Sequence, residues 1–308
     1  MSKQPLRRST PKKRPQARKG RAVVAASSAG KRSDRTSWIL AAIVIAVGGA
    51  LVFVFAGGTK KTLAGQAITG RQSAPSSLVK KITGVPESVI KQVGEGAITG
   101  LPEKLPGPTL TSGGKPRIFY LGAEYCPFCA TERWAMAQAF SRFGTFKNLK
   151  ITTSSSTDVD ANTPTLSFYG STYTSPYITF ESVEQSDNKQ KPLEQMTSDQ
   201  AALVAKYDQA PYTSKDTTSN GTIPFIDIAN QYVLSGATYD VGALQGKTHA
   251  EIAAALSDPN SAIGKGAIGA ANAITAAVCK VTDNKPANVC TISAITAIEA
   301  KLPTKVAS

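Results

Sequence analysis

Cys126 and Cys129, separated by Pro127 and Phe128, stand where an extended apolar run gives way to a helical pattern. Arg117 to Ala123 is β-prone and ends in small residues, whereas Ala130, Trp134, Ala137, Phe140 and Phe143 recur at helical spacing. The pattern predicts a strand feeding a helix that starts at Cys126. The first-turn N–H groups of such a helix carry partial positive charge, which favours thiolate over thiol, and the thiolate is the reactive form. Cys126 is therefore the expected nucleophile. Cys129, one turn further in, is the expected resolving thiol, able to attack a mixed disulfide at Cys126 and release the partner. Pro127 suits an early helical position, where its missing N–H is not needed. Half a zinc site and a plain structural disulfide share this spacing, so the strand-to-helix context is what favours redox chemistry.

On these residues the chain resembles the thioredoxin superfamily. Ala123-Glu124-Tyr125-Cys126 is similar to the Ala-Glu-Trp-Cys approach of thioredoxins, and Cys-Pro-Phe-Cys to the Cys-Pro-aromatic-Cys of glutaredoxins. The region beyond residue 58 further resembles a bacterial and archaeal membrane-anchored thioredoxin-like family known only as a domain of unknown function. The acidic residue that many thioredoxins carry six positions before the first cysteine is Tyr120 here, which argues against a buried carboxylate relay. The resemblance also gives Ile223-Pro224-Phe225-Ile226-Asp227-Ile228 a meaning. A proline opening a β run is what the superfamily places opposite its cysteines in the cis form, where neighbouring backbone pairs with a bound substrate strand. Pro224 is then the cis proline, and Ile223, Pro224, Tyr125 and Phe128 are the implied substrate-binding residues. Without the resemblance an ordinary trans proline starting an edge strand would be favoured.

Cys279 and Cys290 form the second pair, bracketing a polar loop with Pro286. A disulfide there would close a short loop and contribute about 3 kcal/mol in the chain-entropy model. A structural staple is the expectation; a redox relay to Cys126 and Cys129, or a four-cysteine zinc site, are the alternatives. Four cysteines in two pairs fit an oxidising compartment. The single histidine, His249, excludes a His-rich metal centre and reads as a surface or helix-start residue. No metal and no cofactor are expected.

The formal charge of +14 is concentrated at one end. Residues 1–36 hold 12 of the 35 Lys and Arg and one of the 21 acids, leaving 23 bases against 20 acids in the rest. That remainder has no basic stripe interleaved with aromatics, so nucleic acid is not an expected partner. The tail, rich in Lys, Arg, Pro and Ser, cannot bury enough apolar surface to fold alone. Trp38 to Gly57 is apolar and uncharged, about the ~20 residues that a bilayer core requires. The excess of bases before it places the N-terminus in the cytoplasm and everything after it outside.

The expected organisation is a basic cytoplasmic tail (1–36), a transmembrane helix (37–58), a tether (59–75) and an extracytoplasmic α/β domain (76–308) of thioredoxin-like fold. Within the domain, two short helices cover Ser77 to Ile82 and Pro86 to Val93, the second with Pro86 at its first position. Asn148 to Thr153 is a second strand that completes a strand-helix-strand unit with the first. Thr165 to Val183 holds five aromatics and reads as two strands. Thr197 caps a helix to Ala210, and Ile226 to Val233 reads as a hairpin. Cys126 and Pro224 lie about a hundred residues apart, roughly twice the separation in a minimal thioredoxin, so an insertion is expected at about 155–221. A helical extension follows at about 248–308, its helix from Asn260 to Val278 weakened by Gly264, Gly266 and Gly269.

The functional expectation is a membrane-anchored extracytoplasmic thiol-disulfide oxidoreductase acting on cysteines of exported proteins, together with a membrane or extracytoplasmic redox partner. A non-catalytic thioredoxin-like binding module with structural disulfides is the alternative. Helix-start placement of Cys126 stabilises the reduced form and leans toward an oxidant. The Pro-Phe pair resembles that of glutaredoxins, at ~−200 to −230 mV, so an intermediate poise is expected.

Overall fold

A computed structural model describes residues 70–213 and 217–306. The expected tail and membrane helix, and most of the tether, lie outside the described residues. Among those described, no helix is long and apolar enough to cross a membrane.

The architecture is mixed α/β. In chain order, β1 (Gln72–Ser73) leads into helices α1 (Ser76–Thr83) and α2 (Glu87–Val93), then strands β2 (Glu103–Lys104), β3 (Thr111–Ser112) and β4 (Lys115–Gly122). Helix α3 (Pro127–Ser141) follows, then β5 (Thr145–Lys147), β6 (Lys150–Thr153), β7 (Pro164–Ser167), β8 (Thr172–Thr174) and β9 (Thr179–Glu184). After α4 (Ser198–Tyr207) comes the hairpin of β10 (Phe225–Ile228) and β11 (Tyr232–Ser235). The C-terminal part holds α5 (His249–Ala255), a π-helical stretch (Gly264–Ile268), α6 (Gly269–Val281), α7 (Ala287–Cys290) and α8 (Ser293–Glu299).

The central sheet runs β2, β11, β10, β4, with β9 parallel to β4 and β3 hairpinned onto the start of β4. In β4, Ile118 and Tyr120 point to one face and Phe119 and Leu121 to the other, and all four are buried. A strand covered on both faces reads as a continuous apolar run, which is what Ile-Phe-Tyr-Leu is. The larger core layer packs α1, α2, α3, α6 and α8 against the first face. The smaller one sets Leu105, Phe119, Leu121, Val183, Phe225 and Val233 against Tyr207 of α4. Helix α3 is enclosed around nearly its whole circumference, with Ala130 through Phe140 all buried.

Three expectations about strands change. Lys150–Thr153 does not partner β4; it pairs antiparallel with β1 and β7 in a separate three-stranded sheet. The parallel partner of β4 is β9, aligned from Arg117 opposite Thr179 to Gly122 opposite Glu184. The span 155–221, expected as an insertion, thus contributes a strand of the central sheet. Thr165 to Val183 makes parts of three strands rather than two. Phe168, Tyr173 and Phe180 join Phe146 in one aromatic cluster with ring centroids 4.8–5.9 Å apart, and this packing holds β5, β8 and β9 over the end of α3.

Other departures concern helix ends. Pro86 is the N-cap of α2 rather than its first helical residue. The glycines at the start of α6 and in the π-helical stretch before it allow close packing: a Cβ on Gly266 would lie 2.5 Å from the Tyr239 ring, and one on Gly269 would overlap the Glu95 carbonyl. His249 does start α5, but it is not a surface residue. Its Nε2–H is shared between the carbonyls of Thr152 and Thr165 at 2.8 and 3.0 Å, pinning α5 to β6 and β7. Burial lowers its pKa.

Candidate functional site

Cys126 occupies the N-cap of α3 in extended conformation, and Pro127 is the first helical residue. Its Sγ accepts the Cys129 N–H at 3.3 Å, satisfying one of the donors that a helix start leaves without a partner. Across from it, the Ile223–Pro224 peptide bond is cis, and the Cys126 thiol donates to the Ile223 carbonyl at 3.7 Å. Two stretches 97 residues apart thus meet at one sulfur. The β10–β4 pairing enforces this, because Phe225 lies opposite Leu121 and brings Pro224 beside the loop that follows β4.

The two thiols are free and electrostatically unequal. Cys126 is held below the ordinary thiol value by hydrogen bonding with the Cys129 thiol, by the backbone N–H groups of Cys129 and Phe128, and by Arg133, against the effect of burial. Burial raises Cys129 well above it, reinforced by the hydrogen bond with Cys126 and by the charge Cys126 carries. Cys126 retains 5% exposure and Cys129 none. Phe128, at 42%, is one of two exposed large apolar side chains among the described residues. The other, Val159, lies in the loop whose Ser155 N–H bonds the Tyr125 carbonyl at 2.9 Å. Tyr125 and Ile223 are half-buried and Pro224 is buried; of these expected contact residues, Ile223 meets the Cys126 sulfur directly, through its carbonyl.

Behind the cysteines lies a buried polar layer that sequence reasoning missed. Arg133 and Glu184 are both wholly enclosed and form a two-point pair, Nε to Oε1 at 2.8 Å and Nη2 to Oε2 at 2.6 Å. Nη2 also donates to the Ala123 carbonyl at 2.7 Å, tying the helix to the loop before Cys126. Glu132 accepts from the Thr238 N–H at 3.0 Å and from its hydroxyl, and burial pushes its pKa up to about 7. Glu124, two residues before Cys126, bonds Arg71 at 2.9 Å and the Ser167 hydroxyl. The available signal was the adjacent Glu132 and Arg133, the two charged residues of a helix otherwise made of apolar and uncharged polar residues.

Cys279 and Cys290 are bonded to each other, linking the end of α6 to α7, and both are enclosed. Among the described residues no group of His, Cys, Asp and Glu could hold a metal ion.

The family described as "Domain of unknown function (DUF929)" matches residues 103–280, from β2 to the last turn of α6. The chain belongs to that family. The DUF929 match takes in Cys126, Cys129, Tyr120, Arg133, Glu184 and the Ile223–Pro224 bond. No curated protein and no solved structure matches the chain.

Proposed function

We propose that this DUF929 chain is a thiol-disulfide oxidoreductase with a thioredoxin-like domain, anchored to the membrane and acting outside it on cysteines of exported proteins. The observation that carries the reading is the convergence at Cys126 Sγ of the α3 N-terminus and the Ile223 carbonyl. The first stabilises a thiolate. The second leaves the Ile223 backbone beside it, where an extended segment of a partner can pair. The unequal pair supports the same chemistry: the lower-pKa sulfur attacks, and the enclosed one resolves the mixed disulfide. A sheet with β4 and β9 parallel, β10 antiparallel to β4 and α3 on one face supports the thioredoxin-like assignment. The uncharged run from Trp38 to Gly57 and the basic residues before it support the anchor and its orientation.

The stabilised Cys126 thiolate favours the reduced form, so the pair is expected to be more oxidising than the ~−270 mV of thioredoxin. Cys129→Ser is the test. It should arrest mixed disulfides at Cys126 with several cysteine-containing exported proteins; an empty trap would favour a binding module whose thiols do no exchange.

A further inference from the structure

Tyr120 carries a hydroxyl that the fold leaves without a partner. The side chain is fully buried, and among the described residues its Oη has no hydrogen bond. Buried hydroxyls are seldom left this way, because nothing replaces the water they lose. Packing alone does not account for it. The ring stands edge-on to Phe168 at 5.6 Å, a contact that a phenylalanine would make equally well without desolvating an O–H.

The hydroxyl lies in the space beside Cys129. Tyr120 and Gly122 project from the same face of β4, toward α3. A Cβ on Gly122 would overlap the Tyr120 Oη and stand 3.1 Å from the Cys129 Sγ, so the two atoms share the space that the missing side chain leaves. The charged and titratable groups around them are Arg133, Glu184 and Cys126. The Nε and Nη2 groups of Arg133 are committed to Glu184 and Ala123. Nη1 donates to the Thr165 hydroxyl at 3.4 Å, and Tyr120 is the neighbouring hydroxyl that remains unoccupied.

We propose that the Tyr120 hydroxyl donates a hydrogen bond to the Cys129 thiolate each time that thiolate forms, which makes it a further functional residue of thiol-disulfide exchange. The inference rests on exchange at Cys126 and Cys129. When a partner thiolate attacks Cys126 Sγ of the oxidised pair, a new disulfide forms between the partner and Cys126. The Cys126–Cys129 bond breaks, and its electron pair leaves on Cys129 as a buried thiolate that later takes a proton from solvent. In the reverse direction the Cys129 thiol loses its proton to solvent, attacks Cys126 Sγ and expels the partner's thiolate, which takes up a proton. The unfavourable species in both directions is a thiolate inside the protein, and a neutral O–H is a donor to it without adding charge. Burial first, then Glu184 and the cysteines, raise the Tyr120 pKa well above its ordinary value, so the proton stays on the phenol. The hydroxyl lacks a partner when Cys129 is a thiol because the partner it serves is transient.

The test uses the full-length chain and Tyr120→Phe. Reduction of the oxidised pair by dithiothreitol should slow by about tenfold or more, the scale of a hydrogen bond to a charged group. In a Cys126→Ser background, the midpoint of the pH profile for alkylation of Cys129 should rise by about one unit when Tyr120→Phe is added. Fluorotyrosine at position 120, a stronger donor of nearly the same shape, should move that midpoint the other way. The melting temperature of Tyr120→Phe should hold or rise. Unchanged reduction rate and unchanged Cys129 profile would overturn the proposal. If the wild-type pair exchanges with no protein disulfide, exchange as the function falls, while the Cys129 profile still decides the role of Tyr120.

Discussion

Replacing Arg133 with Met removes a guanidinium from a site with no access to water. The substitution takes both hydrogen bonds from Glu184 and the one from the Ala123 carbonyl. Glu184 then keeps only a long bond from the Phe168 N–H at 3.3 Å. Breaking a buried pair from one side strands the other charge, and the cost is about 3–5 kcal/mol. With a urea slope of roughly 2–3 kcal/mol per molar, the unfolding midpoint of the full-length chain should fall by about 1–2 M. Replacing Arg133 and Glu184 together with Met should recover most of that loss, since an apolar pair of similar volume leaves no charge uncompensated. The same guanidinium helps hold Cys126 below the ordinary thiol value. The alkylation midpoint of Cys126 should therefore rise in the single variant and stay raised in the double variant, separating electrostatics from stability. A single variant that loses less than about 1 kcal/mol, or a Cys126 midpoint that does not move, would refute this account of the buried layer.

Burial holds the protons of Glu132 and Asp227 to about 7, against 4.5 and 3.8 for the free side chains, and that of Asp208 to about 6. The folded state binds these protons more tightly than the unfolded chain. Their contribution is thus complete below about pH 4 and is lost as pH climbs to 7, and the melting temperature should fall by roughly 5–10 °C between pH 5 and 8; a rise over that interval would contradict the assignment. Gly122→Ala should destabilise by about 1–3 kcal/mol through overlap with the Tyr120 hydroxyl and crowding of Cys129, measured by urea unfolding. Replacing Cys279 and Cys290 together with Ser should cost about 3 kcal/mol, since the bridge closes a loop with a sequence separation of 11. Exchange at Cys126, followed by reaction with a small disulfide, should be unaffected, and a loss there would point to a relay.

The strand before Cys126 and the helix after it were legible because each depends on local pattern: apolar residues in succession, then at helical spacing. Which strand lies beside β4 was not. Lys150–Thr153 is β-prone and follows α3 directly, whereas β9, Thr-Phe-Glu-Ser-Val-Glu, carries two carboxylates that argue for a surface. Glu184 is enclosed only because Arg133 reaches it from 51 residues away, and Glu181 bonds Arg117 of β4 at 2.8 Å. Each charge read alone disqualifies its segment from a core, and only the pairing makes either acceptable. The sequence likewise showed that position 120 lacks a carboxylate. It could not show that a tyrosine hydroxyl there would share the space above Gly122 with Cys129, because that depends on how α3 lies across β4 over a glycine.

Arg71 stands near the first of the described residues, with its guanidinium 4.4 Å from the Tyr169 ring centroid and its Nη1 on Glu124. The neighbouring Gln72 and Ser73 are laced onto β6. The incoming chain is therefore fastened to the loop that carries Cys126, and a pull along it is delivered to Glu124, two residues from that sulfur. Where the chain is cut matters for the same reason. A version begun at Gln72 keeps the strand but loses the clasp, leaving an enclosed carboxylate to Ser167 alone, and a shortened version meant to preserve the chemistry of this site has to include Arg71.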